Sequence, residues 1–449
     1  MYEAVFVALT DLLVRTRSSR LLVAYSGGRD SAALLHLAAA FAHQRYLPLS
    51  AVHVDHGLDP ASADWADRCR AQAASLGIDC VVLRVAAAPP AGASIEAWAR
   101  EQRYTRLAAL CDASTLVLTG HHEDDQAETI LQRVLAGAGP HGLSGMPALR
   151  SCGAGFLGRP LLACSRASID DYVMRHDLPW VDDPANANER FVRNRLRNSL
   201  LPSLDDAVPG ARRGLIRLAR IQQDVVQGLD RHADVLIDAA GLPAWQLAES
   251  SLSAAGVELA PFVLRRALSR IGFPRPGRRQ LQEILGTLRQ AQPAGQPVVR
   301  WGDYAVRRYR DRLYFTAATL PMPPTQTMTW DCRAAFELPW GTLGARAATA
   351  TGQVALDPAR LQGAAAVSVR FRRGGERCQP LGRDHGQSLK KLFQEWGIPP
   401  WERALLPLVY IDGELAAVPG YCVAAPFAAN PGGGIVLDWA FDFYPQRVT

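Results

Sequence analysis

The stretch "LLVAYSGGRDSAALLHL" (21–37) decides the fold of this chain. An apolar run ends at Tyr25, two glycines follow, and an apolar helical pattern begins soon after them. Strand, glycine turn and helix form the layout of a phosphate-binding loop, because adjacent glycines let backbone amides turn inward and the next helix adds its positive N-terminal end. The loop lacks the G-x-x-x-x-G-K-[ST] and G-x-G-x-x-G patterns of the two commonest loops of this kind.

The remaining pattern is S-G-G-x-D-S, in which two serine hydroxyls can donate hydrogen bonds to phosphate oxygens. A tight turn with Asp30 as the helix cap is the alternative that involves no ligand. The strand before the glycines and the helix after them favour the phosphate site. We therefore expect nucleotide contacts from six consecutive residues, Ser26, Gly27, Gly28, Arg29, Asp30 and Ser31.

The sequence around this loop predicts an α/β domain with a parallel sheet. Apolar strand-like runs alternate with helical patterns, and right-handed crossovers between them cover both faces of such a sheet. Ligands bind at the carboxyl ends of its strands, where the polar clusters of this chain stand. The predicted strands are 21–25, 49–55, 80–85 and 115–120, and the predicted helices are 31–45, 61–76 and 94–111.

A second polar cluster is "TGHHEDDQAETILQRVL" (119–135), which runs from a strand end into a helix. Glu128 is four residues from Asp124 and three from Asp125, so the carboxylates share a helix face. Paired carboxylates beside a phosphate site suit Mg²⁺, and we expect its ligands to be Asp30, Asp125 and Glu128. The alternatives are a solvated acidic first turn and a transition-metal site that uses His121 with Asp125.

Two further clusters carry candidate contacts. In "AVHVDHGLD" (51–59), His53 and Asp55 close a strand and could contact a ribose or a base, although a buried polar pair is the alternative. In "DDPANANERFVRNRLRNSLLPSL" (182–204), three arginines precede an apolar helical run. Arginine forks suit phosphates and planar bases, and an exposed helix face is the equally weighted alternative.

The chain has 449 residues, too many for one ordinary core. We expect a catalytic domain over 1–210, a mainly helical domain over 211–320 and a small mixed α+β domain over 330–449. The prolines of "LPMPPTQT" (320–327) predict a linker, and Asp412-Gly413 predicts a tight hairpin turn.

The composition restricts the class of protein. The net charge of +6 is compatible with a polyanionic partner such as RNA, although many proteins are mildly basic. The eight cysteines form no C-x-x-C pair, so a zinc ribbon and a paired-thiol sulfur carrier have no signature. Scattered thiols without a secretion signal suggest the cytoplasm, and prolines and glycines interrupt the uncharged run 415–437, so no membrane partner is expected.

Taken together, these residues resemble the N-type ATP pyrophosphatase superfamily and, more narrowly, the tRNA(Ile)-lysidine synthetase family. The resemblance implies a Rossmann-like adenine nucleotide alpha hydrolase (PP-loop) domain followed by two tRNA-binding domains. The segments that carry it are "AYSGGRDSAALLHL", "AVHVDHGL", "GHHEDDQAETILQRVLAGAGPHGLSGM", "RPLL", "DDPANANERFVRNRLRNSLLP" and "RFRRGGERCQPLGRDHGQSLKKLFQEWGIPPWER".

The resemblance also implies a reaction. Members of that family bind tRNA(Ile) with a CAU anticodon, use ATP to adenylate the C2 oxygen of the wobble cytidine, and let free L-lysine displace AMP. The resemblance implies ATP and Mg²⁺ as cofactors and is compatible with a homodimer. It implies catalytic roles for Asp30, Asp124, Asp125 and Arg193, a nucleotide contact for Arg103 beside Tyr104, and tRNA contacts for Arg195, Arg370, Arg372, Arg373, Lys390 and Lys391.

Two other functions remain open at this stage. The chain could be another ATP pyrophosphatase of the same fold, acting in tRNA thiolation or on a small molecule; the missing cysteine pairs and the absence of a glutaminase signature argue against these. It could also be an RNA-binding protein with an inert nucleotide fold, against which the intact loop and carboxylates argue.

Overall fold

The structure is a computed structural model that describes residues 1–90, 92, 94–181, 192–288, 297–349, 353–430, 433–442 and 444. Its contacts divide the chain into two compact units, Met1–Gln227 and Gly228–Thr449. The family-like segment 182–191 lies outside the described residues. The boundaries of the three predicted domains stay predictions.

The first unit alternates strands and helices, as the sequence predicts. A five-residue π-helical segment, Leu196–Leu200, joins α8 to α9. The elements are α1 Tyr2–Thr16, β1 Arg20–Ala24, α2 Arg29–Arg45, β2 Leu49–Asp55, α3 Ser62–Ser75, β3 Asp79–Arg84, α4 Ile95–Leu110, β4 Thr115–Leu118, α5 Glu123–Leu135, α6 Pro140–Leu143, β5 Leu149–Cys152, β6 Gly155–Gly158, α7 Arg166–Arg175, α8 Val192–Arg195, α9 Leu201–Ala207 and α10 Ala211–Asp238, which continues into the second unit.

The six strands of this unit form one sheet in the order β3-β2-β1-β4-β6-β5. Neighbouring strands are parallel except β5, which pairs antiparallel with β6 at the edge. Side chains alternate between the two faces, so Leu21 and Val23 enter one apolar cluster and Leu22 enters another. Both faces are therefore covered, and the predicted doubly wound parallel sheet is confirmed.

The second unit consists of the end of α10, further helices and small antiparallel sheets. Its elements are β7 Gln246–Ala248, α11 Glu249–Arg270, α12 Arg278–Glu283, β8 Val298–Trp301, β9 Tyr304–Tyr309, β10 Arg312–Ala317, β11 Met328–Thr329, β12 Phe336–Leu338, β13 Gly341–Ala347, α13 Pro358–Gln362, β14 Val367–Arg370, β15 Arg377–Cys378, β16 Gln387–Ser388, α14 Leu389–Glu395, α15 Pro400–Arg403, β17 Leu408–Ile411, β18 Glu414–Val418, β19 Cys422–Val423 and β20 Ile435–Phe441.

Strands β7-β10-β9-β8 form one antiparallel sheet and β11-β14-β17-β18-β19 another. The predicted hairpin turn joins β17 to β18, with φ of +49° at Asp412 and +87° at Gly413. These positive values fit the turn type that an Asp-Gly pair favours. The mixed α+β character predicted for the C-terminal region is confirmed.

Candidate active site

The candidate site lies at the carboxyl ends of β1 and β4. After β1 the chain continues to β2 on one side of it, whereas β4 pairs on the other side. The strand order therefore reverses at this point, which is where open α/β sheets bind ligands. A cavity of about 710 Å³ opens here, and residues of the glycine loop, α4, the start of α5 and α8 line it.

The glycine loop forms the floor of the cavity. Gly27 has a φ of +83°, and a Cβ there would stand 2.8 Å from the Sγ of Cys69. The Oγ atoms of Ser26 and Ser31 lie 3.1 Å apart, so the two hydroxyls face one another. Gly28 precedes the first residue of α2, and no side chain caps that helix. Asp30 lies within the first turn, so the alternative of Asp30 as the helix cap is not what the structure has.

The turn after β4 approaches the loop closely. A Cβ on Gly120 would lie 3.2 Å from the backbone carbonyl of Asp30, so this position leaves little room for a side chain. His122 caps α5, since its Nδ1 accepts a hydrogen bond from the backbone N–H of Asp124 at 3.2 Å. The Oδ2 of Asp125 in turn accepts from the backbone N–H of His122 at 3.0 Å. This reciprocal capping box fixes the acidic residues at the edge of the loop.

Four charged side chains form a compact cluster beside this cap. Arg193 donates to Asp125 at 2.7 Å and to Glu128 at 2.9 Å. Arg197 donates to the same two carboxylates at 2.6 and 2.5 Å. Both carboxylates are buried. Burial raises the pKa of Asp125, but His122 and the two arginines outweigh it and lower that pKa well below its usual range. Asp125 is therefore a poor proton acceptor in this arrangement.

This cluster bears on the predicted magnesium ligands. Both oxygens of Glu128 are hydrogen-bonded to guanidinium groups, so a metal at this carboxylate would compete with two arginines. Both oxygens of Asp125 are also hydrogen-bonded, the Oδ1 to the two arginines and the Oδ2 to the backbone N–H of His122. Asp30 differs, because its Oδ1 is buried and has no hydrogen-bond partner in the part of the chain that the structure describes. Among the described residues no group of three or more His, Cys, Asp and Glu side chains is arranged to hold a metal. Mg²⁺ needs no such group, since one or two carboxylates, substrate phosphates and waters suffice.

Besides Glu96, two further carboxylates line the cavity, Asp124 and Asp30. The Oδ2 of Asp124 lies 3.0 Å from the Nη1 of Arg212, which also pairs with Asp205 at 2.7 Å. The Oδ2 of Asp30 lies 3.2 Å from the Nη1 of Arg166 and 3.6 Å from the Nε2 of His122. Each therefore has one oxygen in an ion pair, and the Oδ1 of Asp30 remains for a ligand.

His53 and Asp55 do not line the cavity. The Nδ1–H of His53 donates to the carbonyl oxygen of Tyr25 at 2.9 Å, and Asp55 accepts from the backbone N–H of Gly57 at 2.9 Å. Their predicted nucleotide contacts thus have no support in this geometry, and the buried polar pair is what the structure has. His56 lines the cavity instead, and both of its ring nitrogens are buried without a hydrogen-bond partner.

On the side of α4, one arginine lines the cavity and others surround the tyrosine next to it. Arg103 and Tyr104 of α4 line it, as the family resemblance implies. Arg100 and Arg150 lie over the Tyr104 ring at 5.0 and 4.4 Å. Burial raises the pKa of Tyr104, but the surrounding arginines, Arg159 included, lower it overall. This wall can therefore accommodate an anion.

Besides His56, sequence reasoning missed three residues of the site. Arg166 lies at the start of α7 and touches Asp30, and Asp170 one turn later pairs with both Arg166 and Arg29. Arg197 was recognised only as part of an arginine run. The spacing of Arg166 and Asp170 is a local signal for an ion pair, but nothing local connects them to the loop, 136 residues away.

None of the residues predicted to contact tRNA is among the described residues that line the cavity. Arg195 on α8 is exposed. In the second unit, Lys390 and Lys391 are exposed on α14, and Arg373 is exposed near β14. The guanidinium carbon of Arg370 lies 4.4 Å from the centre of the Tyr410 ring, and the Nε of Arg372 lies 3.9 Å from the Oε2 of Glu376. No helix of the described part of the chain is long and apolar enough to cross a membrane.

Three family models match the chain. A PP-loop domain matches residues 1–204, a TilS substrate binding domain matches 247–314, and a TilS substrate C-terminal domain matches 367–439. The first contains the whole cavity, and the other two fall within the second unit.

Curated relatives extend over almost the whole chain. The tRNA(Ile)-lysidine synthase of Alkalilimnicola ehrlichii is 41% identical over 95% of this chain and 95% of its own length. The proteins of that name from Coxiella burnetii and Methylococcus capsulatus are 36% and 35% identical, over 96% and 93% of this chain and 95% of their own lengths. With the family models at the same places, these identities show that the chain belongs to the tRNA(Ile)-lysidine synthase family.

Proposed function

We propose that this protein ligates L-lysine to C2 of the wobble cytidine in tRNA(Ile) with a CAU anticodon, by way of an adenylated cytidine. The observation that carries the proposal is the cavity where the S-G-G-x-D-S loop meets the capped start of α5, with the Oδ1 of Asp30 unpartnered. The arrangement provides anion-binding groups for ATP on one side and carboxylates for an amine on the other. Whole-chain similarity to enzymes named for this reaction supports the choice of substrate.

In the first step the cytidine oxygen attacks the α-phosphorus of ATP and pyrophosphate leaves. Ser26, Ser31 and the loop amides would bind the leaving oxygens, where negative charge develops. Mg²⁺, when bound, would supply further positive charge there, and Asp30 is the carboxylate that fits it. Arg103 and the arginines around Tyr104 would hold phosphate groups of the nucleotide or of the RNA.

In the second step the lysine amine attacks the cytidine carbon and AMP leaves. Asp124 would hold the lysine ammonium and accept the proton whose loss gives the attacking amine, because its Oδ2 is paired with Arg212 and its Oδ1 takes part in no ion pair with the described residues. Asp125 would act with Arg193 and Arg197 to position α8 rather than to accept a proton, because its pKa is depressed. The catalytic role of Arg193 is then to hold this wall in place.

The second unit would bind the tRNA outside the anticodon. Lys390, Lys391 and Arg373 are exposed, as a phosphate-binding surface requires. We also propose that the protein acts in the cytoplasm, where its tRNA substrate and reduced thiols are found. A homodimer is compatible with the sequence, and the mass of the protein in solution would test it.

The test is lysine incorporation into two transcripts. Purified protein with ATP, Mg²⁺ and labelled lysine should modify the CAU-anticodon tRNA(Ile) and leave the methionine tRNA with the same anticodon unmodified. A folded protein that incorporates no lysine would refute the proposal. Exchange of ATP with pyrophosphate in the absence of tRNA would favour a small-molecule substrate instead.

A control variant separates catalysis from RNA binding. Asp30→Ala should abolish lysine incorporation and leave tRNA affinity unchanged, because Asp30 lies in the nucleotide half of the cavity. Loss of both lysine incorporation and tRNA binding would indicate a misfolded loop, which a melting curve would detect. Full activity in Asp30→Ala would contradict the role of the loop carboxylate.

A further inference from the structure

One carboxylate on α7 organises two arginines next to the glycine loop. The Oδ1 of Asp170 lies 2.9 Å from the Nη1 of Arg29 and 3.2 Å from the Nε of Arg166. Arg29 is the variable residue of the S-G-G-x-D-S loop, whereas Arg166 begins α7. Asp170 therefore links the loop to a helix that is distant in sequence.

Helix α7 can hold these groups in fixed positions. Its apolar side is anchored by Ile169 and Val173, which are fully buried in the same cluster as α2. Arg166 and Asp170 are four residues apart, so they lie on one face of the helix. Arg29 is further restrained because its guanidinium stacks over Trp180 at 4.7 Å.

Both arginines keep donors for a ligand. Arg166 uses its Nε for Asp170 and its Nη1 for Asp30, at 3.2 Å each, and it lines the cavity. Arg29 also lines the cavity, and its Nε is buried with no hydrogen-bond partner among the described residues. A guanidinium group with fixed orientation and unused donors is suited to bind a phosphate through two hydrogen bonds.

When no ligand is bound, the positive and negative charges of this group are equal in number. Two arginines face two carboxylates, Asp30 and Asp170. A divalent cation bound at the Oδ1 of Asp30 would compete with Arg166 for the charge of that carboxylate, and the charge of Arg166 would then be available to an anion. We infer that Arg29 and Arg166, held by Asp170, form the second half of the pyrophosphate site opposite the loop amides, and that Arg166 exchanges Asp30 for the leaving pyrophosphate. This inference rests on the proposed function, because it assigns residues to its leaving group.

Binding of inorganic pyrophosphate, ATP and AMP to the whole protein tests this assignment, with Mg²⁺ and without tRNA. Arg166→Met and Asp170→Asn should each weaken pyrophosphate and ATP binding on the order of 10- to 100-fold, the range for a lost charge-assisted hydrogen bond. The affinity of Arg166→Lys for pyrophosphate and ATP should lie between those of the parent and Arg166→Met, because the positive charge remains whereas the planar guanidinium donors are lost. AMP lacks the leaving group, so its affinity should not change.

Asp171→Asn provides the matched control, because Asp171 is the adjacent carboxylate on α7 and is exposed. Its affinities for all three ligands should equal those of the parent. Equal weakening of AMP and ATP in Asp170→Asn would mean that Asp170 only supports the fold, and unchanged pyrophosphate affinity in Arg166→Met would overturn the inference. A protein that shows the expected pattern but incorporates no lysine would fail as a lysidine synthase while keeping this pyrophosphate site.

Discussion

Glu402 on α15 is a buried carboxylate whose titration should control the stability of the second unit. It is 5% exposed and accepts a hydrogen bond from the hydroxyl of Tyr444, which itself accepts one from the Nε1 of Trp401 at 3.0 Å. Tyr314 and Tyr421 also face it, and its charge adds to burial in raising their pKa values. Burial raises the pKa of Glu402 from 4.5 to about 7, although the Tyr444 hydrogen bond opposes this rise.

The sign and size of the effect follow from this pKa. The native state binds the Glu402 proton more tightly than the unfolded chain does, so the unfolding free energy falls as pH rises from about 4.5 through 7. The gap of about 2.5 units corresponds to about 3 kcal/mol, at roughly 1.4 kcal/mol per unit. Glu402→Gln carries no charge at any pH, so it should be more stable than the parent by up to about 3 kcal/mol at pH 8 and about equal to it at pH 4.

Denaturant unfolding of the full chain between pH 4 and 8 measures this difference. Subtracting the two curves cancels every other titrating group that the variants share. Glu414→Gln is the control, because Glu414 is exposed next to the β17–β18 turn and its curve should follow the parent. Parallel pH dependences of the parent and Glu402→Gln would refute the reasoning.

Three other predictions concern the catalytic loop, the charge cluster and the tRNA surface. Gly27→Ala should weaken ATP binding, because a side chain at a φ of +83° costs about 1–2 kcal/mol. Adding Cys69→Ala to this variant removes the contact with the Cys69 Sγ and should restore only part of the ATP affinity. Full restoration would contradict a backbone cause. Glu128→Gln should lower the unfolding free energy by about 2–3 kcal/mol in thermal or chemical melts, since two guanidinium groups would share one carboxylate; an unchanged melt would disprove this. The Lys390→Ala/Lys391→Ala double variant should weaken tRNA binding and flatten the log–log salt dependence by roughly 1.5–2, whereas identical slopes would exclude phosphate contacts.

The sheet was predictable because its signals are local. Strand β2 coincides with the predicted 49–55, α2 begins two residues before its predicted start and ends where predicted, and α4 is one residue shorter than predicted at each end. Burial of both faces produces the continuous apolar runs that mark these strands. Strands β5 and β6 were not predicted, because their sequences, LRSC and GFLG, lack the continuous apolar run that marks the predicted strands.

The site was only partly predictable because its contacts span the chain. Along β2 the side chains alternate, so Val52 and Val54 face the cavity whereas His53 and Asp55 do not; the sequence shows the alternation but not which face is open. The spacing of Asp125 and Glu128 indicates a shared face, but the arginines that occupy them come from 65 to 72 residues later. The roles predicted for the site residues therefore stay proposals.

The cluster of Asp125, Glu128, Arg193 and Arg197 has a consequence for how the protein meets its polyanionic substrates. Each negative charge of this cluster has a guanidinium group within a hydrogen-bond length, so Asp125 and Glu128 exert little repulsion at the distances over which RNA and nucleotides approach. The attraction of the entrance is then set by Arg100, Arg103 and their neighbours. These paired carboxylates thus contribute little electrostatic potential in the solvent, and the rate at which tRNA encounters the protein should not depend on them.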